Sequence, residues 1–504
     1  MNGLLRMEDG MGSRWTRDGD GKPLLFWRPA RMTAVLALVG AACTLNAQRP
    51  EPPRPQTESQ QPGSGAQVHT GTANGVDAET RLMNMLADHQ FIRLEEEIDR
   101  LPPGQAQFYR GVLANRNNDL KKSIELLEPL VDQVVASGNA AREKVLRKAL
   151  AEDYLRQGDW VKAAAAYETL EARFGDKLSS DEQNEIEMPV NMLPLARNHP
   201  PTTVDPCDPF VVTVSKNPLG LTDVPVFVDA RPQSWMLDPT LPFSLISRSR
   251  AKEAGLKISE DGVTIHALRG RAIQVHATVV PRFTIGGQLT LRDMTAFVYE
   301  DKDYFFPQTH YQVEGVLGYP AMAALGSFTI TDSNKLYMRP ETRVSPAETD
   351  GRQIDGVRFF LDGDQVILAL GGIGGSGDSY SRAEASGEAR MFAIDAGSQQ
   401  TYMTSRFYDE HSADFANMRM ELFKLRGMED MAPVPSYEAE TIPLTVGRTT
   451  VQFHFMPVLT QPLGLAALDD VYGVLGVDAL DQLGSYTFDY RTMRFSIRLS
   501  EARD

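Results

Sequence analysis

The C-terminal three-fifths of the chain is written twice. Trp235-Met-Leu-Asp238 and Phe392-Ala-Ile-Asp395 each place a carboxylate directly after an apolar run. Thirty-two residues beyond each aspartate a Leu-Arg-Gly ends, at Gly270 and at Gly427. Gly-Val-Leu-Gly begins 77 residues beyond Asp238, at Gly315, and 78 beyond Asp395, at Gly473. Eleven residues after each of these glycines comes Gly-Ser-aromatic-Thr, as Gly326-Ser-Phe-Thr and Gly484-Ser-Tyr-Thr. Chance supplies one such pair. Four pairs in the same order, spaced alike to within one residue, indicate duplication of a unit of roughly 140 residues.

The unit is β. Short β-branched and aromatic runs (PFVVTVS, VPVFVDA, ATVVPRFTI and MTAFVYE in the first copy; VRFFLDG, MFAIDAG, TIPLTVG and VQFHFMPV in the second) are bounded by Gly, Pro, Asn and Asp. Strands and turn residues at that density predict an all-β region. The run Gly371-Gly-Ile-Gly-Gly-Ser-Gly377 lacks the Gly-Lys-Ser/Thr of a phosphate-binding loop and reads as a hairpin or loop.

On these residues each copy resembles one lobe of a pepsin/retropepsin-type aspartic peptidase. That family's lobe reads as an apolar run, Asp-Thr/Ser-Gly-Ala/Ser, a flap hairpin, then two apolar residues and Gly. The second copy offers Phe392-Ala-Ile-Asp395-Ala396-Gly397-Ser398 and later Val474-Leu475-Gly476; the first offers Trp235-Met-Leu-Asp238-Pro239-Thr240 and later Val316-Leu317-Gly318. The resemblance implies a bilobal all-β domain, lobe 1 at 205–345 and lobe 2 at 346–504. It also implies that Asp238 and Asp395 face each other as a catalytic dyad. Like charges a few ångströms apart cannot both ionise cheaply, so such a pair shares one proton. One carboxylate takes a proton from a bridging water and the other, protonated, polarises the scissile carbonyl. Thr240, Gly397 and Ser398 stand where the family supports its dyad, and Arg269, Gly270, Arg426 and Gly427 where it places its flaps. For the two arginines the plainer reading is a solvated side chain beside a hairpin glycine.

The supporting residues depart from the family pattern. The family's Thr or Ser after each Asp sends its hydroxyl across the lobe interface to the backbone N–H of its counterpart. Here those positions are Pro239 and Ala396. Neither has a hydroxyl, and Pro239 has no N–H to receive one. Gly397 keeps the small residue that lets backbone N–H groups approach the carboxylate, while Thr240 replaces it in lobe 1. Two functions stay open: an aspartic-type endopeptidase, or a pseudopeptidase that binds or scaffolds peptide with dead chemistry.

Ahead of the β region, residues 81–195 are helix-favouring. Gly111, Ala114, Leu120, Ser123 and Leu127 recur at the same offsets as Ala151, Tyr154, Trp160, Ala163 and Tyr167. Small residues let paired helices approach and large ones fill the space between them. The stretch ALAEDYLRQGDWVKAAAAYETL, with Ala151, Tyr154, Gly158, Ala163 and Tyr167, resembles a tetratricopeptide repeat. Two uses follow: a docking platform for a protein partner, or a helical spacer packed on the next domain. The chain thus reads as multidomain, an α-helical tetratricopeptide-like domain followed by an all-β bilobal aspartic-peptidase-like domain.

Residues 48–80, rich in Pro, Gln, Gly and Ser, read as a disordered linker. Before it, Met32–Leu45 is a 14-residue uncharged run behind Arg28 and Arg31, shorter than a bilayer span requires. Residues 1–47 therefore read as a cleaved secretory signal, a lipoprotein-type signal ending before Cys43, or an uncleaved anchor. All three imply export, to the periplasm or cell exterior, with membrane contact only through that N-terminal segment. The formal net charge of −16 excludes the basic surface that nucleic acid demands. Two cysteines and eight scattered histidines form no metal-ligand spacing, and the expected partner is peptide or protein substrate with no metal or cofactor.

Overall fold

The structure, a computed structural model, describes residues 70–178, 180–238, 241–266, 272–340, 356–363, 365–370, 390–424, 433–446, 449–463 and 469–498. They belong to one compact unit, His69–Asp504. The N-terminal apolar run, Thr240, the four residues of the expected flap tips and the glycine run at 371–377 lie outside the described residues.

Eight helices come first: α1 (Thr70–Ala87), α2 (Phe91–Ile98), α3 (Pro103–Arg116), α4 (Leu120–Leu127), α5 (Val131–Ser137), α6 (Ala140–Gln157), α7 (Trp160–Phe174) and α8 (Ser180–Ala196). Helix α1 thus begins ten residues inside the stretch read as linker. Local chemistry sets their ends. Asp119, Asn139 and Asp159 each accept the backbone N–H of the residue three further on, capping α4, α6 and α7. Left-handed Gly138 and Gly158 stop α5 and α6. The matched offsets seen in the sequence fall on two helix pairs, α3/α4 and α6/α7. A Cβ on Gly111 would lie 2.5 Å from Leu127 Cδ2, so the glycine is what lets α3 and α4 close. The pairs are joined through buried Asp153 on α6, which accepts from Ser123 Oγ at 2.5 Å and Asn115 Nδ2 at 2.8 Å.

The β region repeats one arrangement. In its first half Arg231–Leu237 runs parallel to Gly315–Leu317, which pairs antiparallel with Ser244–Ser247. In its second half Arg390–Ile394 runs parallel to Gly473–Leu475, which pairs antiparallel with Tyr402–Met403. The Gly-Val-Leu-Gly segments are thus central strands whose outer positions admit no side chain. A Cβ on Gly315 or Gly473 would sit 2.4 or 2.7 Å from the ring of Trp235 or Phe392, and one on Gly318 or Gly476 would strike the backbone of Phe243 or Gln400.

A sheet built from both halves joins them. Ser327–Ile330 pairs antiparallel with Ser485–Asp489 in the register Phe328 to Phe488 and Thr329 to Thr487, and the two threonine hydroxyls are 2.7 Å apart. Lys335–Arg339 and then Phe210–Thr213 extend one side; Arg494–Arg498 and then Gly356–Asp362 extend the other. The strand order is the same read outward from either copy, as duplication requires. The expected flap positions fall in the connections of two antiparallel pairs. His266 faces Ala272 across residues 267–271, and Phe423 faces Val434 across 425–432.

The helices share a core with the β region. The Phe91 ring meets Phe360 at 4.9 Å and Trp160 meets Phe243 at 6.3 Å. Fully burying a side chain of this size stabilises by about 1.5–3 kcal/mol. Helix α8 lies on the hairpin strands Ile258–His266 and Ala272–Ile285, where Ile186, Met192 and Leu193 join Ile265, Ile273 and Val275 in one buried cluster. Polar ties reinforce the contact. Asp362 receives Arg116 at 2.8 Å and His89 at 3.0 Å, and Arg358 grips both Glu95 carboxylate oxygens at 2.5 and 2.7 Å.

Candidate active site

Each aspartate sits at the C-terminal end of its parallel strand, held by the same backbone bonds. Asp238 N donates to Leu317 O at 3.1 Å and Asp395 N to Leu475 O at 3.0 Å. Three residues on, the chain turns back: Leu241 N reaches Asp238 O and Ser398 N reaches Asp395 O. The turn is then sewn to the second glycine of Gly-Val-Leu-Gly and its successor. Tyr319 N donates to Leu241 O and Gly318 N to Ser244 Oγ; Val477 N donates to Ser398 O and Gly476 N to Thr401 Oγ1. Ser244 and Thr401 therefore hold equivalent places, each six residues after its aspartate, and each hydroxyl fixes the loop that carries the carboxylate.

The two loops meet at Gly397. A Cβ built there would lie 3.1 Å from Asp238 Oδ2 and 3.3 Å from Asp395 Oδ1. The two carboxylates, 157 residues apart in sequence, thus converge on one point, where a methyl would be held tighter than ordinary contact against both. Gly397 N also donates to Asp395 Oδ1 at 3.0 Å. Asp238 is 4% exposed and Asp395 is half-buried, so the pair is lodged in protein on one side and more open on the other. Ala396 is buried. Ser398 turns its hydroxyl to the Gln400 backbone, donating to the carbonyl at 3.2 Å and accepting the N–H at 3.3 Å. Tyr490 packs near this site with its hydroxyl fully enclosed. Burial, with the adjacent Tyr319 and the charge of Asp238, pushes its pKa well above the usual phenol range.

Residues that sequence reasoning passed over complete the surroundings. Asn217 Oδ1 accepts the N–H groups of Leu219 (2.9 Å) and Leu221 (3.1 Å), and its Nδ2 donates to Asp223 at 2.9 Å. Asp223 also accepts from Tyr311 OH at 3.0 Å; burial raises its pKa, against the hydrogen bonds that lower it. Gln399 donates its side-chain amide to the Leu219 carbonyl of the other half. The signal was Asn217-Pro-Leu-Gly220, a turn signature between two strand-like runs. Among the described residues no group of three or more His, Cys, Asp or Glu side chains is placed to hold a metal ion.

Residues 224–321, which include Asp238, match the model of the aspartyl protease family. The β region therefore contains an aspartyl protease-like domain. Among solved structures, basic 7S globulin from soybean is 12% identical, with a TM-score of 0.36 over 59% of this chain and 96% of that one. A retropepsin-like aspartic protease from Rickettsia conorii is 16% identical, with a TM-score of 0.20 over 26% of this chain and 98% of that one. No curated protein matches the chain.

Proposed function

We propose that this protein is an exported aspartic-type endopeptidase whose dyad is Asp238 and Asp395. The observation that carries the reading is the convergence of both carboxylates on Gly397, where a Cβ would touch each. Two carboxylates that close share a proton, one ionised and one neutral at working pH. The ionised member deprotonates a bridging water and the neutral member donates to the scissile carbonyl as its oxygen gains charge. Peptide lies in the cleft between two lobes, partly as an added strand beneath the flaps. By the family resemblance Thr240, Gly397 and Ser398 support the dyad, and Arg269, Gly270, Arg426 and Gly427 are the flap residues. The tetratricopeptide-like helices serve as a protein-docking surface, and residues 1–47 direct export.

The test is cleavage of a peptide library at mildly acidic pH by purified protein. Activity with a bell-shaped pH profile that Asp395→Asn abolishes supports the reading, since an amide cannot take a proton from water. The second reading, a pseudopeptidase that binds peptide without cutting it, rests on Pro239 and Ala396, which lack the cross-interface hydroxyls. Cleavage absent from the wild type, with peptide binding retained, selects it.

A further inference from the structure

The hydroxyls that lock the family's two aspartate loops together are missing here, yet the loops are tied. Gln399, four residues beyond Asp395, reaches out of its own half and donates its amide N–H to the carbonyl of Leu219. The receiving turn is rigid. Gly220 N closes it on Asn217 O at 2.8 Å and Asn217 N on Leu221 O at 2.9 Å, while the Asn217 side chain holds two further N–H groups from within. Leu219 and Leu221 are buried in the same cluster as Met236, two residues before Asp238. Gly220 is left-handed, and a Cβ on it would lie 3.7 Å from Gln399 Nε2, so the amide lies close against the turn.

The donor is equally fixed. Gln399 O accepts from Asp478 N, and Asp478 Oδ1 accepts from Thr401 Oγ1 at 2.6 Å, beside Gly476. Among the described residues the turn is also bonded across the halves by Lys216 to Asp481 at 2.7 Å, but that pair is solvent-exposed and such pairs contribute little. Gln399 thus ties the loop bearing Asp395 to the turn that leads into Thr222–Val228, whose Asp223 pairs with Met236 on the strand ending before Asp238. Its counterpart position in the first half is Pro242, which has no donor, so the tie is one-sided.

We infer that Gln399 is a positioning residue which, through Leu219, substitutes for the absent hydroxyl lock and sets the register of the Asp238–Asp395 pair. The inference rests on the dyad reading above, and its test separates the two. Affinity for a peptide carrying a secondary alcohol in place of the scissile amide, which lodges between paired carboxylates, is measured by calorimetry from pH 4 to pH 7 on the full chain. Wild type, Q399L, Q399E, K216A and D395N are compared. One neutral hydrogen bond is worth about 1 kcal/mol, so Q399L weakens binding roughly five- to tenfold at every pH. Q399E is the sharper variant. Its protonated carboxyl still donates to the Leu219 carbonyl near pH 4, whereas its carboxylate at pH 7 has no donor and repels that oxygen. Its affinity therefore matches wild type in acid and falls below Q399L near neutrality. K216A stays within about twofold, as an exposed pair should.

Equal affinities for wild type, Q399L and Q399E across the range overturn the positioning role. If wild type does not bind the alcohol, or D395N binds it as well, the dyad reading fails. Hydrogen exchange measured by mass spectrometry then decides the tie itself. Loss of protection in both 217–221 and 395–401 in Q399L supports it, and unchanged protection removes it.

Discussion

The residue that decides the site is Gly397. Its N–H donates to Asp395 Oδ1 at 3.0 Å, and a Cβ on it would lie tight against both carboxylates. Gly397→Ala should place a methyl in contact with both, and a misplacement of ~1 Å in such a site is worth on the order of 100-fold in rate. The expected outcome is a fall in kcat of about tenfold or more, with a melting temperature within a few degrees of wild type. A loss confined to KM would show that the carboxylates tolerate the methyl. The double substitution Pro239→Thr with Ala396→Thr restores the hydroxyls and the missing N–H across the interface. Peptide turnover should rise if the eroded lock limits the rate, and steady-state kinetics beside the two single variants checks it.

At the scale of elements, the α3/α4 and α6/α7 pairs are joined by a carboxyl that water does not reach. Burial pushes Asp153 up to about 7, against the opposing hydrogen bonds from Ser123 and Asn115. In the unfolded chain an Asp titrates near ~4. Between those values the folded state holds a proton that the unfolded state has released. Stability from this group therefore falls as pH rises from ~4 to about 7 and levels above it. The loss should be on the order of 1–4 kcal/mol across that window. Asp153→Asn should flatten it, as read by denaturant unfolding of the full chain at several pH values. A second element-scale expectation concerns Gly476, where a Cβ would lie 2.6 Å from the Gln400 backbone. Backbone cannot rotate away as a side chain does, so Gly476→Ala should destabilise by about 1–3 kcal/mol and lower any activity through the Asp395 loop.

For the whole molecule, the join between helices and β region turns on Asp362. Its burial works against ionisation, but Arg116, Lys148 and His89 outweigh it and hold the carboxyl well below the usual range. A carboxyl lowered on folding contributes stability that is fully present above ~4, its unfolded value, and is lost as pH falls through the folded one. Acid should therefore loosen the helices from the β region while it steadies the α3/α6 joint through Asp153. Asp362→Asn removes one of the two carboxylates on Arg116, Glu152 remaining at 2.8 Å, a change worth about 1.5–3 kcal/mol. Limited proteolysis of the variant at neutral pH should then cut between 196 and 203, where wild type resists. Wild-type resistance in the variant would assign the join to the apolar contacts of Phe91, Trp160 and α8 and to the Arg358–Glu95 pair.

Much of this was legible in the sequence. The duplication and the strand texture follow from spacing, because two copies of one fold must place equivalent residues equivalently; that Asp238 and Asp395 meet was implied by the family resemblance. The helix pairs followed from small and large residues at matched offsets, which Gly111 and Leu127 realise as a close approach. What the sequence could not supply were contacts between segments with no common pattern. Gln399 on Leu219, α8 along the hairpin strands and Asp362 beside Arg116, Lys148 and His89 each join residues far apart in the chain. Local composition records which face of an element is apolar and where the chain must turn. It does not record which buried carbonyl a distant amide will meet, because that is fixed only when both halves and the helices close on a shared core.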